Sequence, residues 1–209
     1  MGGAVHMEGN ISPVAEFNTY ADAVAAAQVF ALTSTAPRVT MPPRAVRAGV
    51  SLPDYPENLS STLKLTLFPV DITTVHCLDK ERFQSQVRPL IDAGSPLAQW
   101  VFHFLARSFE HIEAIETDGE TVGYALHDPL TIWYLLTRDQ SGWKSTPEPE
   151  DIRIETTGQW TRRMHVIDRR KMKKVTQSDT LASGVEVADN GSWLSSYGNQ
   201  VNRIVDSPG

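Results

Sequence analysis

The sequence has few of the residues that secreted or membrane-spanning proteins need. It contains one cysteine, Cys77, so an intrachain disulfide is excluded, which fits a reducing compartment. Its apolar runs are all shorter than the roughly 20 residues of a membrane-spanning helix. The first residues also lack the charged segment followed by an apolar segment that marks a secretory signal. We therefore expect a cytoplasmic protein that does not enter a membrane.

Positive charge is also scarce. There are 19 Lys and Arg residues against 25 Asp and Glu, giving a formal net charge of -6. This argues against a nucleic-acid partner, because phosphate contacts need a basic surface. One basic cluster runs from Arg162 to Lys174, without aromatic residues after Trp160 that could stack on bases. We interpret it as a solvated hairpin or loop.

Metal-binding histidine spacings are absent as well. None of the 6 histidines forms a His-x-x-x-His pair or another spacing typical of metal sites. His103 and His111, for example, fall on an apparent helix and are interpreted as surface residues. An enzyme built on these histidines alone is the least favoured class.

What the sequence does contain is hydrophobic patterning in which helices alternate with strands. Helices are predicted over 21–32, 79–92, 96–115 and 129–137, and strands over 63–67, 151–157 and 162–168. In the longest helix, Leu97, Trp100, Val101 and Phe104 begin an apolar face, which is typical of a packing surface. A weak helix is also predicted from Trp193 to Val205. The pattern indicates an α/β layered fold.

Two long irregular stretches interrupt this pattern. Residues 34–62 form a connection rich in Pro, Ser and Thr, and residues 176–192 are polar and loop-like. The whole chain, 1–209, is predicted to be one domain or a part of a larger one.

The first segment that could carry chemistry is Gly9–Asn18. It places Asn10, Glu16 and Asn18 within nine residues around Pro13. Amide and carboxylate groups at this spacing supply donors and acceptors suited to a polyol such as ribose. The alternative is a turn whose Asn and Glu side chains cap the helix that follows.

The second segment is His127-Asp128-Pro129. A proline suits the first position of a helix, so Asp128 could simply be the N-cap residue. Alternatively, Asp128 could bind a metal while His127 moves a proton.

Together, in this order and separation, the segments resemble the inosine/uridine-preferring nucleoside hydrolase family. In that family a Met-Gly-Gly leads to Gly-Asn, Ala-Glu-Phe-Asn and an Asp-led helix rich in alanine. A strand ending in Asp-x-Thr and a helix opened by His-Asp-Pro come later. The matching segments here are Met1-Gly2-Gly3, Gly9-Asn10, Ala15-Glu16-Phe17-Asn18, Asp22, Asp71-Ile72-Thr73, His127-Asp128-Pro129 and Thr156–Arg162.

The resemblance implies a fold and a function. The chain would form part of an open, mostly parallel sheet with flanking helices, and would hydrolyse the N-glycosidic bond of purine or pyrimidine ribonucleosides in nucleoside catabolism. By resemblance, Asn10, Glu16 and Asn18 would bind the ribose hydroxyls and His127 would serve as the proton donor near the base. Asp128 would be a calcium ligand. A homo-oligomer is a further expectation from the family.

The family's Asp-x-Asp-x-Gly-x-Asp-Asp and Pro-Thr-Gly motifs are missing from this sequence. They would lie before Met1, so Met1 is expected inside a fold rather than at its natural start. Calcium takes about 6–8 oxygen ligands, so one aspartate would leave its site incomplete. The alternative function is therefore a truncated, non-catalytic remnant that binds ribose, a nucleoside or a partner protein.

Overall fold

A computed structural model describes residues 1–42, 60–115, 123–169 and 198–208. The loop expected over 176–192 lies outside these residues, and so does most of the connection over 34–62. The chain divides into two compact units, which are described separately. Unit 1 comprises Met1–Ile72 and Thr137–Gly209, and unit 2 comprises Thr73–Leu136.

The described elements of unit 1 include both helices and strands. They are α1 (Phe17–Ala21), α2 (Ala23–Ala31), a 3₁₀ turn (Pro37–Val39), β1 (Leu65–Leu67), β4 (Lys144–Ser145), β5 (Ile152–Ile154), β6 (His165–Ile167) and β7 (Val201–Asp206). The short helix α3 (Val70–Thr73) ends at the boundary of the two units. Unit 2 holds β2 (Cys77–Leu78), α4 (Lys80–Asp92), α5 (Pro96–Ile115), β3 (Tyr124–Ala125) and most of α6 (His127–Thr137).

The sheet of unit 1 is built around β7. β1 pairs with β7 in parallel, with Leu65 opposite Val201, while β4 pairs with β7 antiparallel on its other side. β5 and β6 form an antiparallel hairpin, with Ile152 opposite Ile167. Unit 2 adds the antiparallel pair β2–β3. The predicted α/β class is confirmed, and the three-stranded sheet is mixed, with β1–β7 as its parallel pair.

An apolar cluster lies between helix and strands in the described part of unit 1. Its buried members are Val5, Ala23, Ala27, Phe30, Leu67, Ile152, Ile154 and Val201. Alanine is the strongest helix former and adds little bulk, so the run Ala23–Ala31 lets α2 pack closely on β5. Asp22 caps this helix by accepting a hydrogen bond from the Ala25 amide at 2.8 Å.

The predicted helices agree with the observed ones to within about two residues, but the helix predicted over Trp193–Val205 is wrong for the residues from 198 onward that the structure describes. In the described part of that segment, residues 198–200 are irregular and β7 begins at Val201, with Val201, Arg203 and Ile204 buried. β-branched residues suit a pleated, enclosed position, and β7 has a partner strand on each side. Pairing with residues far along the chain therefore overrides the weak local helical signal.

The apolar face predicted for α5 is buried only in part, and Val101 on it is half-buried. Leu97, Trp100 and Phe104 are 68%, 65% and 57% exposed, whereas Ala98 and Phe109 are buried. Helix α4 lies on that buried face, where Phe83 contacts Phe109 with ring centroids 5.9 Å apart. The two faces are both apolar, so periodicity alone does not distinguish them.

No helix among the described residues is long and apolar enough to span a bilayer.

Candidate functional site

The first six residues connect several elements of unit 1. The Gly2 amide donates to the Phe68 carbonyl at 3.1 Å, and the Val70 amide donates to the Gly3 carbonyl at 2.8 Å. Further on, the amides of Val5 and His6 donate to the two carboxylate oxygens of Asp71, at 2.9 and 2.7 Å. This segment therefore lies next to the end of β1, and its hydrogen bonds hold the backbone of both segments in place.

Glu16 lies at the centre of the first polar group. Its side chain is 1% exposed and its carboxylate accepts hydrogen bonds from the amides of Gly3 at 2.8 Å, Asn18 at 2.8 Å and Thr19 at 3.3 Å. Two of these amides begin α1, so Glu16 is its N-cap residue. Anionic acceptors at a helix start are favourable because the first amides have no partner within the helix.

The two asparagines of this group lie beside Glu16 and are exposed to solvent. The side-chain oxygen of Asn10 accepts a hydrogen bond from the Phe17 backbone amide at 2.9 Å. The side-chain nitrogen of Asn18, Nδ2, makes a longer contact of 3.4 Å with the Met1 carbonyl. The structure therefore brings Asn10, Glu16 and Asn18 together at the start of α1. For Asn10 and Glu16 it shows the capping interactions that the sequence left as the alternative.

The second polar group opens α6 in unit 2. The helix begins at His127, so Asp128 lies in its first turn instead of being the N-cap residue expected from the proline. Asp128 is exposed and His127 is half-buried. The Nδ1 atom of His127 lies 2.7 Å from the hydroxyl oxygen of Thr73, which is fully buried.

Two buried features were missed by the sequence reasoning. Thr73 was noted only as part of Asp71-Ile72-Thr73, although a threonine next to a buried strand is a common site for an internal hydrogen bond. His165 was set aside with the other histidines, yet it is 1% exposed and neither of its ring nitrogens has a hydrogen-bond partner among the described residues. Its place in a predicted strand next to the apolar residues Val166 and Ile167 was the signal available for its burial.

Two histidines have perturbed pKa values. Burial lowers the pKa of His165 to about 4, and the nearby Asp71 carboxylate offsets only part of this effect. Burial also lowers the pKa of His76, whose ring meets the edge of Trp133 with centroids 6.0 Å apart. Both rings therefore favour the neutral form more than a solvated histidine does.

The next feature is the set of His, Cys, Asp and Glu side chains that could bind a metal ion. Among the described residues, no group of three or more His, Cys, Asp and Glu side chains converges on a point that could hold an ion. Calcium prefers about 6–8 oxygen ligands, several of them carboxylates. The side chains around Asp128 in the described part of the chain therefore do not fit a complete calcium site.

The fold and the two polar groups define an α/β protein with amide and carboxylate groups at one helix start and a His-Asp pair at another. The family model of the inosine-uridine preferring nucleoside hydrolases matches residues 1–190. The chain belongs to this family.

Individual relatives agree with this assignment. The pyrimidine-specific ribonucleoside hydrolase RihA of Salmonella typhi is 29% identical over 171 residues, covering 80% of this chain and 41% of that protein. An uncharacterized protein of Schizosaccharomyces pombe is 30% identical over 170 residues, again with 80% and 41% covered. The chain thus spans about two fifths of the length of these curated relatives.

A solved structure shares the fold. The purine-preferring ribonucleoside hydrolase from Gardnerella vaginalis superposes with a TM-score of 0.54 and 16% identity, covering 99% of this chain and 46% of that one.

Proposed function

We propose that this protein acts in the hydrolysis of the N-glycosidic bond of ribonucleosides. The observation that carries the proposal is the grouping of Asn10, Glu16 and Asn18 at the start of α1 in a member of this family. In the reaction, a water hydroxyl adds to the anomeric carbon of the sugar and a hydrogen goes to the leaving nitrogen. The products are free ribose and free base.

The three side chains at α1 are proposed to bind the ribose hydroxyls. Asn10 and Asn18 are exposed, and their side-chain amides can donate hydrogen bonds to sugar hydroxyls and accept hydrogen bonds from them. An ionised carboxylate has about four acceptor positions. Backbone amides from three residues occupy the Glu16 carboxylate, which leaves it capacity for one sugar hydroxyl. Contacts that tighten as the sugar gains positive charge would lower the barrier.

At α6, His127 is proposed to donate a proton to the leaving nitrogen of the base. Asp128 is exposed beside it and is proposed as a calcium ligand. Calcium is thus a proposed cofactor with an incomplete side-chain set, since the described residues supply no group of three such ligands.

The second candidate function is binding without turnover, to ribose, a nucleoside or a partner protein. The observation that favours it is the same lack, within the described ranges, of a side-chain cluster able to hold an ion. This function keeps the α1 group as the sugar contact and assigns no chemistry to Asp128.

The two functions differ in one measurement. The purified chain is incubated with inosine and with uridine, with and without calcium, and free ribose is measured alongside calorimetric binding. Release of ribose supports hydrolysis, and binding heat without ribose supports the second function. Neither ribose nor heat would exclude both the hydrolysis and the binding of a nucleoside by this chain.

The same assay addresses base preference. The names of the two similar proteins differ in base preference: RihA is pyrimidine-specific and the Gardnerella vaginalis enzyme is purine-preferring. Both nucleosides are therefore proposed substrates. A cytoplasmic location and a homo-oligomer stay predictions, the first supported by the single free cysteine, Cys77.

A further inference from the structure

The side chain of Thr73 is hydrogen-bonded to His127, the first residue of α6. Its hydroxyl oxygen lies 2.7 Å from Nδ1 of His127, and the residue is 0% exposed. A buried hydroxyl needs an acceptor for its hydrogen, because an unsatisfied donor costs about 1–3 kcal/mol. In the described part of the chain, Nδ1 is the acceptor within reach of this hydroxyl.

The backbone next to both residues is fixed as well. The His76 amide donates to the Thr73 carbonyl at 3.2 Å, and the His76 carbonyl accepts from the Leu126 amide at 2.7 Å. The strands that follow and precede these residues pair, with Cys77 opposite Ala125. The backbone of His127 is thus tethered one residue away, and the Thr73 hydroxyl adds a restraint on its ring.

We infer that Thr73 is a positioning residue that fixes which nitrogen of His127 faces a ligand. In the neutral ring, Nδ1 accepts from the Thr73 hydroxyl, so the ring hydrogen is on Nε2. The Thr73 hydroxyl thereby fixes the ring hydrogen on Nε2. This rests on the proposed function, in which His127 donates to the leaving base.

A purely structural role for Thr73 would also explain a buried hydrogen bond. The two roles differ in their effect on the ring, because a structural role predicts lower stability without a change of tautomer. The spectroscopic signature of the ring nitrogens therefore separates them, and it can be read on the chain without substrate.

The test is ¹⁵N NMR of the histidine rings of the full chain at a pH where His127 is neutral, with its signals assigned through His127→Gln. The wild type should show the Nε2–H tautomer as the main form. Thr73→Val, which keeps the shape and removes the hydroxyl, should change the tautomer ratio at least threefold, and Thr73→Ser should preserve it.

A matched control is Thr33→Val. Thr33 is also buried, and its hydroxyl is also hydrogen-bonded, to the Phe30 carbonyl at 2.7 Å, but it lies in unit 1. It should lower stability and leave the His127 signals unchanged. A wild-type ring with its hydrogen mainly on Nδ1 would overturn the inference, even if Thr73→Val did not fold. So would a ratio that is unchanged in a folded Thr73→Val.

Failure of the proposed function is a different result. In that case the tautomer follows Thr73 as described, yet His127→Gln and Thr73→Val leave ribonucleoside binding and ribose release at wild-type levels. If the function holds, Thr73→Val should lower kcat/KM on inosine more than on a nitrophenyl riboside, whose leaving group needs no proton.

Discussion

The ring of His165 is packed directly against the backbone of Gly3. A methyl group on Gly3 would overlap the imidazole, and Gly3 has a φ of +84°, a conformation that favours glycine. Phe30 meets the same ring edge-on with centroids 5.5 Å apart. The first residues of the chain and the β5–β6 hairpin are thus joined through one buried contact.

The first prediction concerns Gly3→Ala, which should destabilise the fold by about 2–4 kcal/mol, from backbone strain plus the overlap with His165. Gly94→Ala is the matched control. Gly94 has a similar φ of +82° but nothing within 4 Å of an added Cβ, so only strain of about 1 kcal/mol applies. Urea unfolding measures both. Equal losses would show that Gly3 and His165 are not in close contact.

The second prediction is a pH dependence from His165. Its pKa is lowered to about 4 in the folded chain, against 6.5 for the ordinary side chain. Between these values the unfolded state binds a proton that the folded state does not, so stability falls as the pH drops from about 6.5 to 4. The loss by pH 4.5 should be about 2–3 kcal/mol.

The comparison is with His165→Leu, which cannot titrate. The free energy of unfolding is measured at pH 7 and pH 4.5 for both chains, and the wild type should lose about 2–3 kcal/mol more than the variant. Identical pH dependence in the two chains would mean that His165 is not buried in its neutral form.

A third prediction tests which face of α5 packs. Phe109→Ala should cost about 3–5 kcal/mol, because its ring is 3% exposed and contacts Phe83 and Tyr124. Trp100→Ser should change stability by roughly 0.5 kcal/mol or less, since its ring is 65% exposed. Thermal unfolding measures the loss of stability in both variants. A larger loss in Trp100→Ser than in Phe109→Ala would show that α5 packs through the face expected from the sequence.

The fourth prediction concerns Asp128. If it is a calcium ligand, Asp128→Ala should weaken calcium binding roughly tenfold, because affinity depends on the number of carboxylates. Asp139→Ala is the control, since Asp139 is another exposed aspartate just beyond the same helix. Calorimetric titration with calcium measures both. Wild-type affinity in Asp128→Ala, or the same loss in Asp139→Ala, would exclude Asp128 as a specific ligand.

Much of the local structure could be predicted from the sequence. Ser95 and Pro96 mark the start of α5, and the alanines after Asp22 define α2, because capping and propensity act within a few residues. Strands β5 and β6 likewise lie within the strands predicted over 151–157 and 162–168.

What could not be predicted depends on distant partners. β7 is a strand because it pairs with β1 and β4, and α5 buries Phe109 because α4 lies there. The grouping of Asn10, Glu16 and Asn18 followed from their closeness in sequence. The contact between Thr73 and His127 joins residues 54 positions apart, and no local pattern encodes that distance.

The central claim is the proposed hydrolysis of a ribonucleoside with His127 as the proton donor, and it is tested most directly by the kinetics of His127→Ala. Loss of a proton donor typically lowers a rate by about 10²–10⁴. The account predicts ribose release from inosine by the wild type, and a loss of this size on inosine with a much smaller loss on a nitrophenyl riboside. Equal losses on the two substrates, or no ribose release by the wild type, would contradict it.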